Sequence, residues 1–407
     1  MLYQNNLQGS LPDELYLLTD LEFICLFTNK DLEGTISSCI SELKDLHTIE
    51  IADNKLSGSL PSELGGLSRL TYLSLANNNL FGSIPSELGL LNGMLSLYLD
   101  ENQFSGSIPT ELGRLLNITD IFLNDNELSG LLPSELGGLT RVTYLLLANN
   151  NFFGSLPSEL GLLSEMLGLF LHNNSFHEIL PTELGRLLNI THFFLHDNEL
   201  SGSLPTELGR LLNITHFFLN DNKLSGSLPS ELGCLSHLTY LVLVNNNFFG
   251  SIPSELGLHN SMMSLYLDKN QFSGSIPTEL GRLLNVNDFF LNDNELSGLL
   301  PSELGGLSHV TYLVLANNKL FGPIPSELGL LNEISNLHLD NNNFHGSVPS
   351  ELGQAASLNW LYTFTNPLSG SLPSELGNLL NLTRMYIYET VSLLLLFFLP
   401  VFCSCCD

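Results

Sequence analysis

Four histidines are spaced so that they could act together: His172 and His196 lie 24 residues apart, and so do His192 and His216. Histidine changes charge nearest neutral pH and is the commonest ligand of transition metals. Two such pairs therefore raise two chemical readings. In one, a zinc ion recruits Asp197 or Asp221, since a pair alone leaves a tetrahedral ion short of ligands. In the other, a ligand-binding patch gains charge as pH falls from about 7.5 to 5.5, around the unperturbed value of ~6.5. The plain alternative is exposed, neutral imidazole. The two pairs are expected to stand apart and not to form one cluster.

The interval that separates them is the period of nearly the whole chain. Prolines recur every 24 residues from Pro61, Pro85 and Pro109 to Pro373, and asparagines do so from Asn54 to Asn366. A fixed short period is the mark of a solenoid whose coils each pack on their neighbours. Residues 1–390 read as about sixteen coils, the first entered part-way, and at about 4.8 Å per stacked strand they extend roughly 80 Å. Within one coil, Leu70, Leu73 and Leu75 alternate as inward strand residues, Asn78 follows, and Leu80, Gly82, Ile84, Pro85, Leu88 and Gly89 complete the return. The asparagine amides are expected to bond backbone groups of their own turn and of the next coil. Glu63, Glu87, Glu111 and their equivalents to Glu375 each follow the proline by two residues. They suit the positive start of a short helical turn, with a calcium-binding ladder as the minor alternative.

In the order LxxLxLxxNxLxGxIPxxLGxL, these residues resemble the plant-type leucine-rich repeat, and nearly every coil between about 1 and 390 matches. The resemblance implies an α/β repeat solenoid: a curved horseshoe with a parallel sheet on its concave face, a further short strand around GxIP and short helical turns on the convex side. Proteins with this repeat include receptor-kinase ectodomains, receptor-like proteins and polygalacturonase inhibitors. Two departures stand out. An extra residue enters near Lys30, where Ser37 takes the place of proline, and Glu178 replaces the glycine of the other coils. If that glycine serves a positive φ or a close backbone approach, the HEILP coil is expected to be locally strained or loosened. A longer period overlies the first: residues 61–132 and 229–300 differ at only 12 of 72 positions, so motif copies are not independent observations.

Alternation along LxxLxLxxN sends the intervening side chains outward onto the concave sheet. The central outward position carries Tyr98, Phe122, Phe170, Phe194, Phe218, Tyr266 and Phe290, and later Tyr362 and Tyr386, with His338 among the interruptions. Asp100, Asn124, Asp197, Asp221, Asp268 and Asp340 run beside this stripe. Aromatic faces next to short acceptors suit an extended peptide, a protein segment or sugar rings. The competing explanation is that the rings stack across strands for stability alone. We therefore expect a recognition module resembling a receptor-like ectodomain, with a soluble inhibitor or scaffold as the alternative. An ice-contacting wall is disfavoured, because it calls for a flat face of Thr and small residues.

Composition narrows the partners further. Thirteen Lys and Arg against 42 Asp and Glu give a net charge of −29, the wrong balance for tracking phosphates, so no nucleic acid is expected. Catalysis has little support. The sequence has no phosphate-cradling loop, kinase set or nucleophile elbow, and an open horseshoe does not desolvate one member of a carboxylate pair, so neither an enzyme nor a cofactor is expected. Glycan acceptors occur at Asn117, Asn189, Asn213 and Asn381, and also at Asn173, where a glycan would obstruct the stripe.

Cys25, Cys39 and Cys234 are too scattered for a disulfide framework. No signal peptide or capping module precedes the first coil, which points to a truncated start or a covering partner. Residues 391–407 form a short apolar tail ending in Cys403, Cys405 and Cys406. It reads as a clipped membrane span with acylation sites, as a misjoined segment, or as a cap on the last coil. A cell-surface or secreted location is expected for a full-length protein, with membrane association through this tail.

Overall fold

The computed structural model describes residues 5–387. A typical coil contributes three short elements, such as the strand Tyr72–Ser74, the strand Asn79–Gly82 and the 3-10 turn Ser86–Leu90. The first strands of successive coils form a 16-stranded sheet and the second strands a 15-stranded one. Pairing is parallel, with Tyr72, Leu73 and Ser74 opposite Ser96, Leu97 and Tyr98. In the 16-stranded sheet the register shift equals the period, so each side chain there faces its own equivalent in the next coil, whereas in the 15-stranded sheet Ser57 and Gly58 lie opposite Asn79 and Leu80.

Each element follows from its residues. Leu73 and Leu75 are fully buried between the sheets and the turns. Asn77 then takes φ 50°, a left-handed conformation that ends the strand after three residues and suits Asn. The helical turn starts one residue after the proline, not on it: Pro85 is the N-cap, at φ −65° and ψ 132°. Each turn is a single 3-10 segment of five residues. Its glycine is required by close approach, because a Cβ on Gly65 would run into the Glu87 carbonyl of the next coil. The Glu63 carboxylate accepts from Ser62 Oγ at 3.3 Å in the first turn, where backbone N–H groups favour negative charge.

The asparagine ladder runs opposite to expectation: the side chain ties its own turn to the preceding coil, not the next. Asn222 Nδ2 donates to Leu219 O at 3.1 Å and Asn220 O at 3.2 Å in its own coil, and to Leu195 O at 3.0 Å in the preceding one. Its Oδ1 accepts from Leu200 N, again in the preceding coil, at 2.9 Å. The direction arises because the left-handed residue before it turns the amide back toward strands already laid down. Behind the ladder, buried phenylalanines fill the wider end of the core. Phe152 and Phe176 lie 6.2 Å apart and nearly parallel, as do Phe248 and Phe272 at 6.1 Å.

Both irregular coils keep the architecture. Near Lys30 the extra residue is absorbed by two positive φ values, 57° at Thr28 and 58° at Lys30. Asn29 takes the ladder position there, accepting from Leu7 N at 3.2 Å. Ser37 replaces the N-cap proline by accepting from Cys39 N at 3.2 Å. Glu178 does hold a positive φ, 71°, while equivalent Gly202 sits at 74°. A side chain in that region costs about 1–2 kcal/mol, partly offset by the greater chain entropy of glycine. Glu178→Gly is accordingly expected to stabilise the protein by about 0.5–1 kcal/mol in urea unfolding. A loss of stability would mean that the His177–Ile179 segment is relaxed as it stands.

Candidate ligand-binding face

The aromatic stripe lies on the 16-stranded sheet as the alternation requires, but its rings are half-buried against one another. They form separate stacks divided at Leu146, Val242 and Val314. Tyr98 and Phe122 meet edge-on at 4.7 Å. Phe170 meets Phe194 edge-on at 4.9 Å, and Phe194 lies flat on Phe218 at 4.6 Å. Tyr266 and Phe290 stack at 4.8 Å, and Tyr362 contacts His338 at 4.4 Å and Tyr386 at 5.0 Å. Parallel strands about 4.8 Å apart bring identical positions to ring-stacking distance.

The histidines form the two expected pairs, and a phenylalanine lies between them. His172 stacks on His196 at 4.4 Å and His192 on His216 at 4.7 Å. Phe194 bridges the pairs, with its ring 6.1, 5.9, 6.0 and 6.2 Å from His172, His192, His196 and His216. Phe170, Phe218 and Tyr240 touch the same rings, so the whole makes one aromatic cluster. His192 Nδ1 and His216 Nδ1 each meet the preceding threonine hydroxyl at 2.8 Å. Asp197 lies beside the cluster, 3.9 Å from His196 Nε2. Among the described residues no group of three or more His, Cys, Asp or Glu is placed to hold a metal ion.

Burial also overturns the expected titration near 6.5. It pushes His172 down to about 4, reinforced by the neighbouring His196 ring, and lowers His192, His196 and His216 for the same first reason. Through His172 a cationic ligand gains little repulsion between pH 7.5 and 5.5. The carboxylates beside the stripe move the other way: burial raises Asp100 and Asp268 to about 6, and it raises Asp197 and Asp340. Asp221 sits one strand further on, where its Oδ1 accepts from Asn245 Nδ2 at 2.7 Å.

These shifts predict how stability follows pH. Unfolded imidazoles take up protons near 6.5, but the folded His172 does so only near 4. Between those values the unfolded chain binds more protons, so this contribution is full above about 6.5 and is lost as pH falls toward 4. Asp100 and Asp268 act with opposite sign: their folded forms hold protons up to about 6, a contribution lost as pH rises through that value. Hence the double variant His172→Gln, His196→Gln should gain stability relative to the parent as pH drops from 7 to 4.5. Parallel pH profiles for the two proteins in urea unfolding would remove the histidines from the account.

A second aromatic row was missed from sequence. Tyr72, Tyr240 and Trp360 occupy the outward position two residues earlier in their strands; Tyr240 stacks on His216 at 4.7 Å, and the Arg384 guanidinium lies 4.4 Å over Trp360. The recurrent Thr-Tyr-Leu of LTYLSL and LTYLVL was the available signal. Four glycan acceptors, Asn117, Asn189, Asn213 and Asn381, lie between turn and strand, where each amide donates to a backbone oxygen of the preceding coil at 2.9–3.0 Å. Asn173 is exposed at the strand end and donates to Asn149 Oδ1. Residues 391–407, with the apolar tail and its cysteines, lie outside the described residues. Among the described residues no helix is long and apolar enough to cross a membrane.

A parallel sheet of short strands, a ladder of buried asparagines and 3-10 turns at a 24-residue period define a leucine-rich-repeat solenoid. The Leucine Rich Repeat family matches the chain at 45–67, 69–91, 94–115, 141–163, 213–235, 237–258, 261–283 and 309–331. Among solved structures, the plant peptide hormone receptor RGFR1 in complex with RGF2 is 29% identical with a TM-score of 0.89, covering 96% of this chain and 66% of its own. The Arabidopsis receptor kinase HAESA, in complex with the peptide hormone IDA and the co-receptor SERK1, is 31% identical with a TM-score of 0.67 over 95% of this chain and 73% of its own. A leucine-rich-repeat protein of Leptospira interrogans is 31% identical with a TM-score of 0.72, over 94% of this chain and 93% of its own. No curated protein matches the sequence. The chain belongs to the leucine-rich-repeat family, and it spans 66% of the hormone receptor named first.

Proposed function

We propose that the concave sheet binds a peptide or protein segment, with the protein acting as a receptor-like ectodomain. The observation that carries this reading is the ring cluster around Phe194 on an open sheet, flanked by exposed Asp197 and half-buried Asp221. Half-exposed stacked rings offer apolar area at little entropic cost, and adjacent carboxylates fix the register of an extended chain. Similar solved ectodomains carry peptide hormones, which supports a peptide over a glycan. Phe122, Tyr98, Tyr266 and Phe290 extend the face on either side. Such a module recognises and does not catalyse. A cell-surface or secreted setting, with glycans on the acceptors outside the strands, fits the same reading, and anchorage through residues 391–407 belongs to it.

Selection of a displayed peptide library against the folded chain tests the proposal. Enriched peptides should lose about ten-fold or more in affinity for the Phe194→Ala, Phe218→Ala double variant, the scale of truncating central aromatic anchors. Peptides that bind parent and variant equally would move recognition off this face.

A further inference from the structure

The coil carrying Val314 and Ala316 places two small side chains at successive outward positions, while the coils after it carry His338 with Asp340 and Tyr362 with Phe364. That step in side-chain height leaves an open concavity of about 610 Å³, lined among others by Val314, Ala316, His338, Asp340, Tyr362 and Tyr386. Asp340 is only 6% exposed. One carboxylate oxygen accepts from Asn341 Nδ2 at 3.1 Å, while Oδ1 is buried and without a side-chain partner, as it is at the equivalent Asp100 and Asp268. His338 Nε2 is unpartnered as well. None of the ion pairs among the described residues includes Asp340. A carboxylate this far out of water gains from a charged donor placed in the concavity it lines.

Aromatic faces beside a lone carboxylate complement a planar organic cation, which stacks on rings while donating to oxygen. The fold shows the same preference next door, where Arg384 lies 4.4 Å over Trp360 and Trp360 is 6.3 Å from Tyr362. We propose that this concavity is a subsite for one arginine side chain of the ligand, with the guanidinium between the Tyr362 and Tyr386 rings and the Asp340 carboxylate. The proposal rests on the concave-face reading and adds a site about six coils from the Phe194 cluster. It makes the ligand a peptide with a cationic anchor, consistent with a chain of net charge −29.

Trp360 is the single tryptophan of the chain and sits beside the subsite, so its fluorescence reports binding there. The full chain is titrated at pH 8 with N-acetyl-arginine methylamide and with the citrulline analogue, which keeps the shape without the charge. A saturable change is expected with the arginine probe and one at least about ten-fold weaker with citrulline. Asp340→Asn should weaken the arginine probe by a similar factor. It should fold, because Asn124, Asn220 and Asn292 occupy the equivalent position, and its melting curve checks that. Asp100→Asn, ten coils away, and Arg384→Gln, which removes the internal stack on Trp360, should leave the response in place.

Equal responses to arginine and citrulline, or an Asp340→Asn variant that binds as the parent does, would overturn the subsite. If the probe fails while selected peptides still depend on Phe194 and Phe218, the subsite is wrong and the face stands. If both fail, the concave-face reading falls first.

Discussion

Leu195→Ala should destabilise the protein by ~2–5 kcal/mol, while the Phe194→Ala, Phe218→Ala pair should cost only about 1–2 kcal/mol. Leu195 is fully buried between the sheets, so its truncation opens a cavity that flanking coils cannot close. Phe194 and Phe218 project from the concave face and are half-exposed, yet they stack at 4.6 Å, so their loss is not free. Urea unfolding of the three proteins measures the contrast. Because each coil is stabilised chiefly by its neighbours, the Leu195 variant should also broaden the transition, as the array starts to come apart at that coil. Equal, severe losses in both variants would mean that the faces of the strand have been exchanged, since a one-residue slip sends every side chain to the other side.

Asn222→Ala is expected to cost roughly 2–5 kcal/mol without opening a large cavity. The single side chain satisfies Leu200 N and shares its two N–H groups among the carbonyls of Leu195, Leu219 and Asn220. Alanine leaves a buried donor and several acceptors without a partner, at ~1–3 kcal/mol for each group that water cannot reach. The preceding coil should feel the loss, because two of those groups belong to it. Amide exchange of Leu200 should therefore accelerate more than that of Leu224, whose N–H is held by Asn246 at 3.0 Å. Unchanged protection at Leu200 would break the assigned link. Asn220→Ala is the control: its Nδ2 donates at 2.8 Å only to its neighbour Asp221 on the half-buried edge, and its loss should cost little.

The repeat made much of this molecule legible before any coordinates. When a strand residue recurs every 24 positions and strands stack in register, each position meets its own kind, so the inward role of Leu73 and the outward role of Phe194 hold for the whole array. Local chemistry alone also located the strained backbone at Glu178 and the substitution for proline at Ser37. What required tertiary structure was everything that depends on how much of a side chain its neighbours cover. Alternation sends His172 outward, but only the stacking of His196 and Phe194 at either side removes enough water to push its titration to about 4. Likewise, sequence showed an Asp at 340, and only the heights of Val314, Ala316 and Tyr362 around it made it the wall of a cavity. The direction of the asparagine ladder belongs to the same class, because a left-handed turn at the preceding residue, not the asparagine itself, aims the amide backward. Identity and period set which residues meet; depth, hydration and aim come from the sizes and turns of residues that are far apart in sequence and adjacent in space.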